Sequence, residues 1–357
     1  MKPDYAHRQT DKIIEEMEKR ISKEYKQAHK EIAAKAKDYF DKYKTKDETW
    51  RRWVSEGKKS AEEYQKWKTG QVLVGKRWNE LRDSLAEDYA NAGKIAQSVV
   101  NGYMPEVYAL NHNYATFTVE KASMMDTSYT LYSRETVERL LRDNPKLYKQ
   151  PGKDLAKKIA QGEVKRWEKQ QIQSVMMQGI LQGDSIPNLT KRLEDVTGGE
   201  HAAAIRNART MATGVQNAGR LDAFERVNEM GIKTRKTWLA VLDDRTRHTH
   251  RELDGQTVDL DEPFTVTDED GTEYQIMFPG DPDADGSMVY NCRCTMIRQI
   301  ENHEIDVSDT NLRPNSKLGD MTYDEWKHAK MKSQPIDKQE KTGEAIKREY
   351  IREYKEL

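Results

Sequence analysis

A narrow apolar stripe near the start of the chain sets the kind of fold available to it. Ile14, Met17, Ile21, Tyr25, Ala28, Ile32, Ala36, Tyr39 and Tyr43 recur in steps of three, four and four residues, an 11-residue period. Eleven residues in three turns keep such a stripe nearly straight, with a slight right-handed drift, so residues 11–44 are expected to form one long helix. Lysine and glutamate fill the other faces. A stripe this narrow suits a helical hairpin, packed within the chain, or a docking surface on a partner better than the centre of a globule. Of the 357 residues, 34% are charged and 36% hydrophobic. That apolar share is low for a compact globule, so long helices or a partner must supply the missing burial.

Helical patterning continues for most of the chain. Residues 45–74 carry Trp50, Trp53, Tyr64 and Trp67 among many charges, with Gly57 and Gly70 as punctuation, and predict short helices around a corner. The aromatics fit a small core between helices, with base stacking as the alternative. Leu81, Leu85, Tyr89, Ala92 and Ala96 mark a second long helical region over about 75–122, expected to break near Gly102 and Pro105. A further helix is expected after Ser133, ending at Asp143-Asn144-Pro145. Lys149 to Gly152 is expected to be a linker, and Asp154 to Gly183 a helix ending in Met176, Met177, Ile180 and Leu181. A turn is expected at Gly183 to Pro187, a cap at Ser185 or Asn188, and a break at Thr197-Gly198-Gly199. The next helix, His201 to Met230, places Ala204, Ala208, Ala212 and Gly219 where they permit close packing, and Gly231 ends it.

The pattern changes after Gly231. Lys233 to Leu242 is expected to be a strand. Phe264–Thr267 and Tyr274–Phe278 flank Asp268-Glu269-Asp270-Gly271, a hairpin signal, and Thr295 to Ile300 is another strand candidate. From Glu301 the chain is polar, with a capping box at Thr322 to Glu325 and a charged helix from about Lys338. Charge is uneven as well. The net charge is −1 overall, yet residues 243–288 hold 14 acids against 3 arginines, whereas residues 1–68 and 151–236 are each net basic by 5. The ordinary reading is a solvated surface; the functional one is two faces for two partners. No run of 18 apolar residues predicts a membrane helix, and the N-terminus has no apolar core of a signal peptide, so synthesis in a host cytoplasm is expected.

The densest run of unusual residues lies between Trp238 and Cys294. It opens with Trp238, then Asp243, Asp244, Arg245, Thr246, Arg247, His250, Leu253, Asp254 and Gly255. It closes with Pro279, Gly280, Asp281, Pro282 and then Asn291, Cys292, Arg293 and Cys294. This block of about 60 residues resembles the C-terminal domain of the minor head proteins of tailed bacteriophages, the family named after the F protein of phage Mu. The helical region before it fits the family in style only, with Ala208-Arg209-Thr210 as a weaker landmark. Where many members carry a histidine before C-R-C, this chain has Tyr290-Asn291. The resemblance implies a portal-associated protein inside the capsid that assists head assembly and DNA packaging or delivery. Its expected partners are the portal protein, other head proteins and packaged DNA, and its expected location is the interior of the virion head.

The residues also admit chemistry. His248, His250, Cys292 and Cys294 form a set of the kind that binds zinc. H-x-H and C-x-C are expected to converge on one ion only if both pairs sit on loops or bulges. The favoured reading is metal-free, with His250 and one cysteine knitting a small core. Asp281-Pro282-Asp283-Ala284-Asp285-Gly286 matches the first half of a calcium loop, but position twelve is Cys292 rather than glutamate, so a Pro/Gly/Asp turn is the better reading. Asp243, Asp254 and His250 offer the groups of a metal-dependent hydrolase or nuclease. Asp254-Gly255 is itself a turn signal, and there is no nucleophile elbow, phosphate loop or H-E-x-x-H. Basic stretches at Lys157-Lys158, Lys165-Arg166 and Arg206 to Arg226 offer non-specific DNA binding as a further alternative.

The expected fold is mainly α. Long helices form an elongated N-terminal body, followed by a small C-terminal α+β module and a helical tail. The expected division is 1–74, a long helix and aromatic corner; 75–232, a helical body; 233–300, the α+β module; and 301–357, a polar tail. The expected function is non-enzymatic head morphogenesis, with a metal-dependent hydrolase and a DNA-binding structural protein as alternatives.

Overall fold

A computed structural model describes residues 4–73, 76–143, 170–175, 178, 186–300 and 312–333. The expectations for Lys149 to Gly152, for most of Asp154 to Gly183, and for the charged helix from Lys338 lie outside those residues. The fold is mainly α with a small α+β module in its C-terminal part. Among the described residues three helices are long: α1 (Tyr5–Ser55), α3 (Lys76–Ser123) and α5 (Ile186–Glu229). Shorter ones are α2 (Ala61–Leu73), α4 (Arg134–Asp143), α6 (His248–Leu253), α7 (Gly286–Val289) and α8 (Tyr323–Ser333). The strands are β1 (Met125–Asp126), β2 (Thr234–Leu239), β3 (Thr257–Val258), β4 (Phe264–Thr267), β5 (Glu273–Ile276), β6 (Thr295–Ile300) and β7 (Arg313–Pro314).

The chain forms two compact units, neither of them one stretch of sequence. One comprises residues 1–18, 99–153 and 206–357; the other comprises 19–98 and 154–205. The segments 1–74 and 75–232 therefore each contribute to both units. Contacts between residues far apart in sequence make this division, and a sequential reading has no access to them.

In the second unit, α1 and α2 form a hairpin about Gly57, whose φ of 72° is a left-handed turn that glycine adopts without strain. Trp67 stacks on Tyr43 and Trp50 at centroid distances of 5.6 and 5.3 Å, and the Tyr64 hydroxyl donates to Asp47 at 2.6 Å. The aromatic corner thus packs on itself. Lys35 of α1 reaches Asp88 and Ser84 of α3 at 2.6 and 2.9 Å. Ile21, Tyr25, Ala28, Ile32 and Ala36 are buried, as is Met17 in the first unit, so most of the apolar stripe is used within the chain.

Two expected helix breaks do not occur. Helix α3 runs through Gly102 and Pro105, and α5 runs through Gly198 and Gly199. A proline inside a helix costs about 3 kcal/mol. Here Val99, Val100, Tyr103, Met104, Val107 and Tyr108 are all buried around it, and each large apolar side chain so placed returns roughly 1.5–3 kcal/mol. Tertiary burial outweighs the local preference. Gly231 does end α5, with φ 103° and with Ile232 N–H returning to Val227 O at 3.1 Å.

In the first unit, β2 is the centre of a three-stranded antiparallel sheet ordered β3-β2-β6, with Trp238 opposite Met296 and Lys236 opposite Val258. Strands β4 and β5 form the expected hairpin, with Phe264 opposite Ile276 and Gly271 at φ 83°. Residues 312–333 are part of the fold. β7 pairs with β1, and the Thr322–Glu325 capping box closes with Thr322 N–H donating to Glu325 at 2.8 Å. Trp326 Nε1 and Lys330 Nζ then meet the buried Glu120 carboxylate at 2.6 and 2.9 Å. Lys330 also reaches Asp126 at 2.8 Å, so the buried acid has a paired cation.

Candidate functional site

The unusual residues of the Trp238–Cys294 block converge on one small core. Trp238, on β2, is 1% exposed and packs edge-on against His250 and Phe264, at centroid distances of 5.5 and 5.2 Å. Leu253, Met288, Cys292 and Cys294 complete that cluster with Val266 and Ile276. Asp254 and Gly255 form the turn after α6: Gly255, at φ 82°, donates to Trp238 O at 2.9 Å, and Asp254 accepts from Ala240 N–H at 2.8 Å. The L-D-G sequence therefore returns the chain from α6 to the edge of β2.

Polar motif residues lock the same module from outside. Asp243 receives both arms of the Arg293 guanidinium at 2.6 Å each, while its Oδ1 accepts from Arg245 N–H at 3.0 Å. The Arg293 hydrogen bonds, followed by the others, hold the Asp243 carboxyl well below the usual range. Thr246 Oγ1 donates to Val241 O, and Arg247 donates to Tyr290 O. Arg245 is exposed, as is Asp244. Asp281 is buried and accepts from Met277 N–H and Asp283 N–H at 3.0 and 2.9 Å, while Asp285 caps α7 through Ser287 N–H at 2.8 Å. These carboxylates act as turn and cap acceptors in this geometry. Asp243 faces Arg293 and Asp254 faces Ala240, whereas His250 turns to the cysteines, so these three do not form a cluster.

His250, Cys292 and Cys294 are each 2% exposed. Their ligand atoms all lie within 4.8 Å of one another. His250 Nδ1 stands 3.4 Å from Cys294 Sγ and 3.7 Å from Cys292 Sγ, and Nε2 stands 2.8 Å from Met288 O. A carbonyl only accepts, so Nε2 carries the hydrogen and Nδ1 presents its lone pair to the sulfurs. Cys292 and Cys294 both reach the histidine because they sit on the loop before β6, after a turn in which Asn291 takes φ 55°. Both cysteines, rather than one, meet His250. His248 is not part of the cluster; it is exposed and faces Glu252 at 3.4 Å. The two thiols are driven apart in acidity. The hydrogen bond with Cys294 and burial push Cys292 up, and the hydrogen bond from Cys292 draws Cys294 down against its burial.

Helix α5 supplies contacts that the sequence reading missed. Thr213 Oγ1 donates to Cys292 O at 2.7 Å, and Thr210 Oγ1 accepts from Asn291 N–H at 3.1 Å. Asn217 Nδ2 donates to Pro279 O at 3.0 Å, and its Oδ1 accepts from Met296 N–H at 3.1 Å. Arg220 holds Met296 O at 3.0 Å and the Asp4 carboxylate at 2.7 and 2.8 Å. Gly214 and Gly280 are in backbone contact; a Cβ on Gly214 would stand 2.6 Å from Gly280 O. The available signal was a polar row, Thr210, Thr213, Asn217 and Arg220, at helical spacing on a face otherwise rich in alanine and glycine.

Residues 170–297 match the family described as Phage Mu protein F like protein, a span that takes in α5 as well as the motif block. The minor head protein GP7 of Bacillus phage SPP1 is 24% identical over 337 residues, covering 90% of this chain and 96% of that one. By these two matches the chain is similar to phage minor head proteins. Two other relatives match over part of their length. The NAD(+)--arginine ADP-ribosyltransferase EFV of Enterococcus faecalis is 26% identical over 240 residues, 66% of this chain and 45% of that protein. A protein of Haemophilus influenzae is 25% identical over 226 residues, 62% of this chain and 43% of that one. The chain thus spans less than half the length of these two. No solved structure matches it. Among the described residues no helix is long and apolar enough to cross a membrane.

Proposed function

We propose that this chain is a minor head protein, a non-enzymatic component of the head of a tailed phage or prophage. It binds the portal protein on the head interior and assists head assembly and DNA packaging or delivery. The observation that carries this reading is the end-to-end alignment with a minor head protein, in which 96% of the relative and 90% of this chain correspond. Most of the apolar stripe of α1 is buried, so the partner surface is sought elsewhere. Asp261, Glu262, Glu269, Asp270 and Glu273 are exposed on the module, acidic groups suited to a basic partner face. The test is co-expression of the full chain with the portal protein of the same phage. Co-purification is expected, weakened when Glu269, Asp270 and Glu273 are changed together to lysine, and the chain should remain protease-protected in filled heads. A chain absent from purified heads overturns the reading.

One relative is named as an NAD(+)--arginine ADP-ribosyltransferase, and this favours an enzymatic reading. That protein is more than twice as long as the region it shares with this chain. The motif carboxylates here are engaged in caps and in the Asp243–Arg293 pair. No consumption of NAD is therefore expected from the purified chain; turnover that an active-site substitution abolishes would establish the enzyme instead. DNA binding that falls steeply with salt would place DNA among the partners.

A further inference from the structure

The cluster of His250, Cys292 and Cys294 has no role in the proposed assembly function, and its geometry is that of a ligand set. A tetrahedral zinc ion, with Zn–S near 2.3 Å and Zn–N near 2.0–2.1 Å, requires its ligand atoms about 3.5–3.8 Å apart. His250 Nδ1 already lies 3.4 and 3.7 Å from the two sulfurs, and all three ligand atoms fall within 4.8 Å of one another. The ion would need only small side-chain adjustments.

Three further observations point the same way. First, His250 Nε2 donates to Met288 O at 2.8 Å, which fixes the ring and leaves Nδ1 as the donor to a metal. Ligating histidines are held in this manner by a carbonyl or carboxylate on their other nitrogen. Second, Cys294 N–H points at Cys292 Sγ at 3.4 Å, a hydrogen bond that favours a thiolate. The loop that carries both sulfurs is itself fixed, by Thr213 to Cys292 O and by Asn217 to Cys294 O at 2.7 and 3.3 Å. Third, charge balances. Two thiolates and a neutral imidazole cancel a dication, so the complete site buries no net charge.

We propose that His250 Nδ1, Cys292 Sγ and Cys294 Sγ hold a zinc ion that ties α6 to the loop entering β6. Among the described residues no fourth His, Cys, Asp or Glu joins the cluster. The fourth coordination position takes a water or another small exogenous ligand. Binding displaces the protons of the two thiols into solution, and no oxidant or reductant enters. The burial of all three ligands assigns the ion to holding the module together. This inference concerns the chain alone and stands or falls independently of the portal.

The test is metal analysis of the full chain purified under reducing conditions, followed by chelation and titration with cobalt(II). About one zinc per chain is expected. The cobalt form should show the intense d–d bands of a tetrahedral site and a near-ultraviolet charge-transfer band sized for two thiolates. Cys292→Ser, Cys294→Ser and His250→Ala should each weaken cobalt binding at least tenfold, whereas His248→Ala should bind as the unaltered chain does. The cobalt spectrum of the unaltered chain decides the matter even if a ligand variant fails to fold. A natively folded, fully reduced chain that takes up neither zinc nor cobalt overturns the proposal. So does a cobalt spectrum without thiolate bands, or equal loss of binding in His248→Ala.

Discussion

Gly214→Ala and Gly199→Ala place the same methyl group in the same helix, and the structure gives them opposite signs. In an exposed helix interior, alanine in place of glycine is worth about 0.5–1 kcal/mol. At Gly199 a new Cβ meets nothing within 4 Å, so that gain is expected in full. At Gly214 the new Cβ stands 2.6 Å from Gly280 O and 3.6 Å from Gly280 C. Ordinary contact begins near 3.4 Å, so one backbone must retreat by roughly 0.8 Å, and no flexible side chain is available to give way. Gly280 cannot move alone. It takes φ 82°, and its neighbour Pro279 is held by Asn217 at 3.0 Å. Overpacking of this kind costs about 1–3 kcal/mol before the helix gain is subtracted. The net expectation is a loss of about 0.5–2 kcal/mol in Gly214→Ala and a gain of up to about 1 kcal/mol in Gly199→Ala. Chemical denaturation of the full chain, followed by Trp fluorescence and circular dichroism, measures both. A Gly214→Ala chain as stable as Gly199→Ala would show that the close approach of α5 to the Pro279–Pro282 turn does not hold the module.

Three further outcomes are expected. Asn217→Ala removes the partner of Pro279 O and Met296 N–H, both in the interior, and should destabilise the chain by about 2–4 kcal/mol; a loss under 1 kcal/mol in denaturant titration would refute the assigned network. Burial lowers Lys236 to about 8, with Glu225 and Asp261 opposing, while the unfolded residue titrates near 10.5. Between those values the unfolded chain binds more protons, so stability relative to Lys236→Met should rise with pH from 8 to 10.5, on the order of 1–3 kcal/mol, and a flat difference would argue against the buried charge. Trp326→Ala should cost about 3–5 kcal/mol and expose residues 312–333 to protease, because this ring covers Phe117 and Tyr129 and donates to Glu120; unchanged proteolysis would mean that this segment is not docked.

Much of this protein is legible in sequence because it is local. The α1 stripe, the Gly231 stop, the β4–β5 hairpin and the Thr322–Glu325 box each depend on residues within a few turns of one another, and each appears as expected. The motif block also carries the resemblance to the family whose model matches residues 170–297. The tertiary structure decided whatever required distant partners. Pro105 and Gly198-Gly199 remain helical, in the first case because burial on α3 outweighs a local preference of a few kcal/mol. His248 and His250 are equivalent by spacing, yet one faces Glu252 at the surface and the other faces two sulfurs in the interior. That choice is made by the orientation of α6 against Trp238. The meeting of both cysteines is made by the left-handed Asn291 and by the hydrogen bonds of Thr213 and Asn217 from a helix some 75–80 residues earlier. Periodicity records which face a side chain takes on its own element. Which other element comes to meet that face depends on packing across the chain, and only the folded molecule contains it.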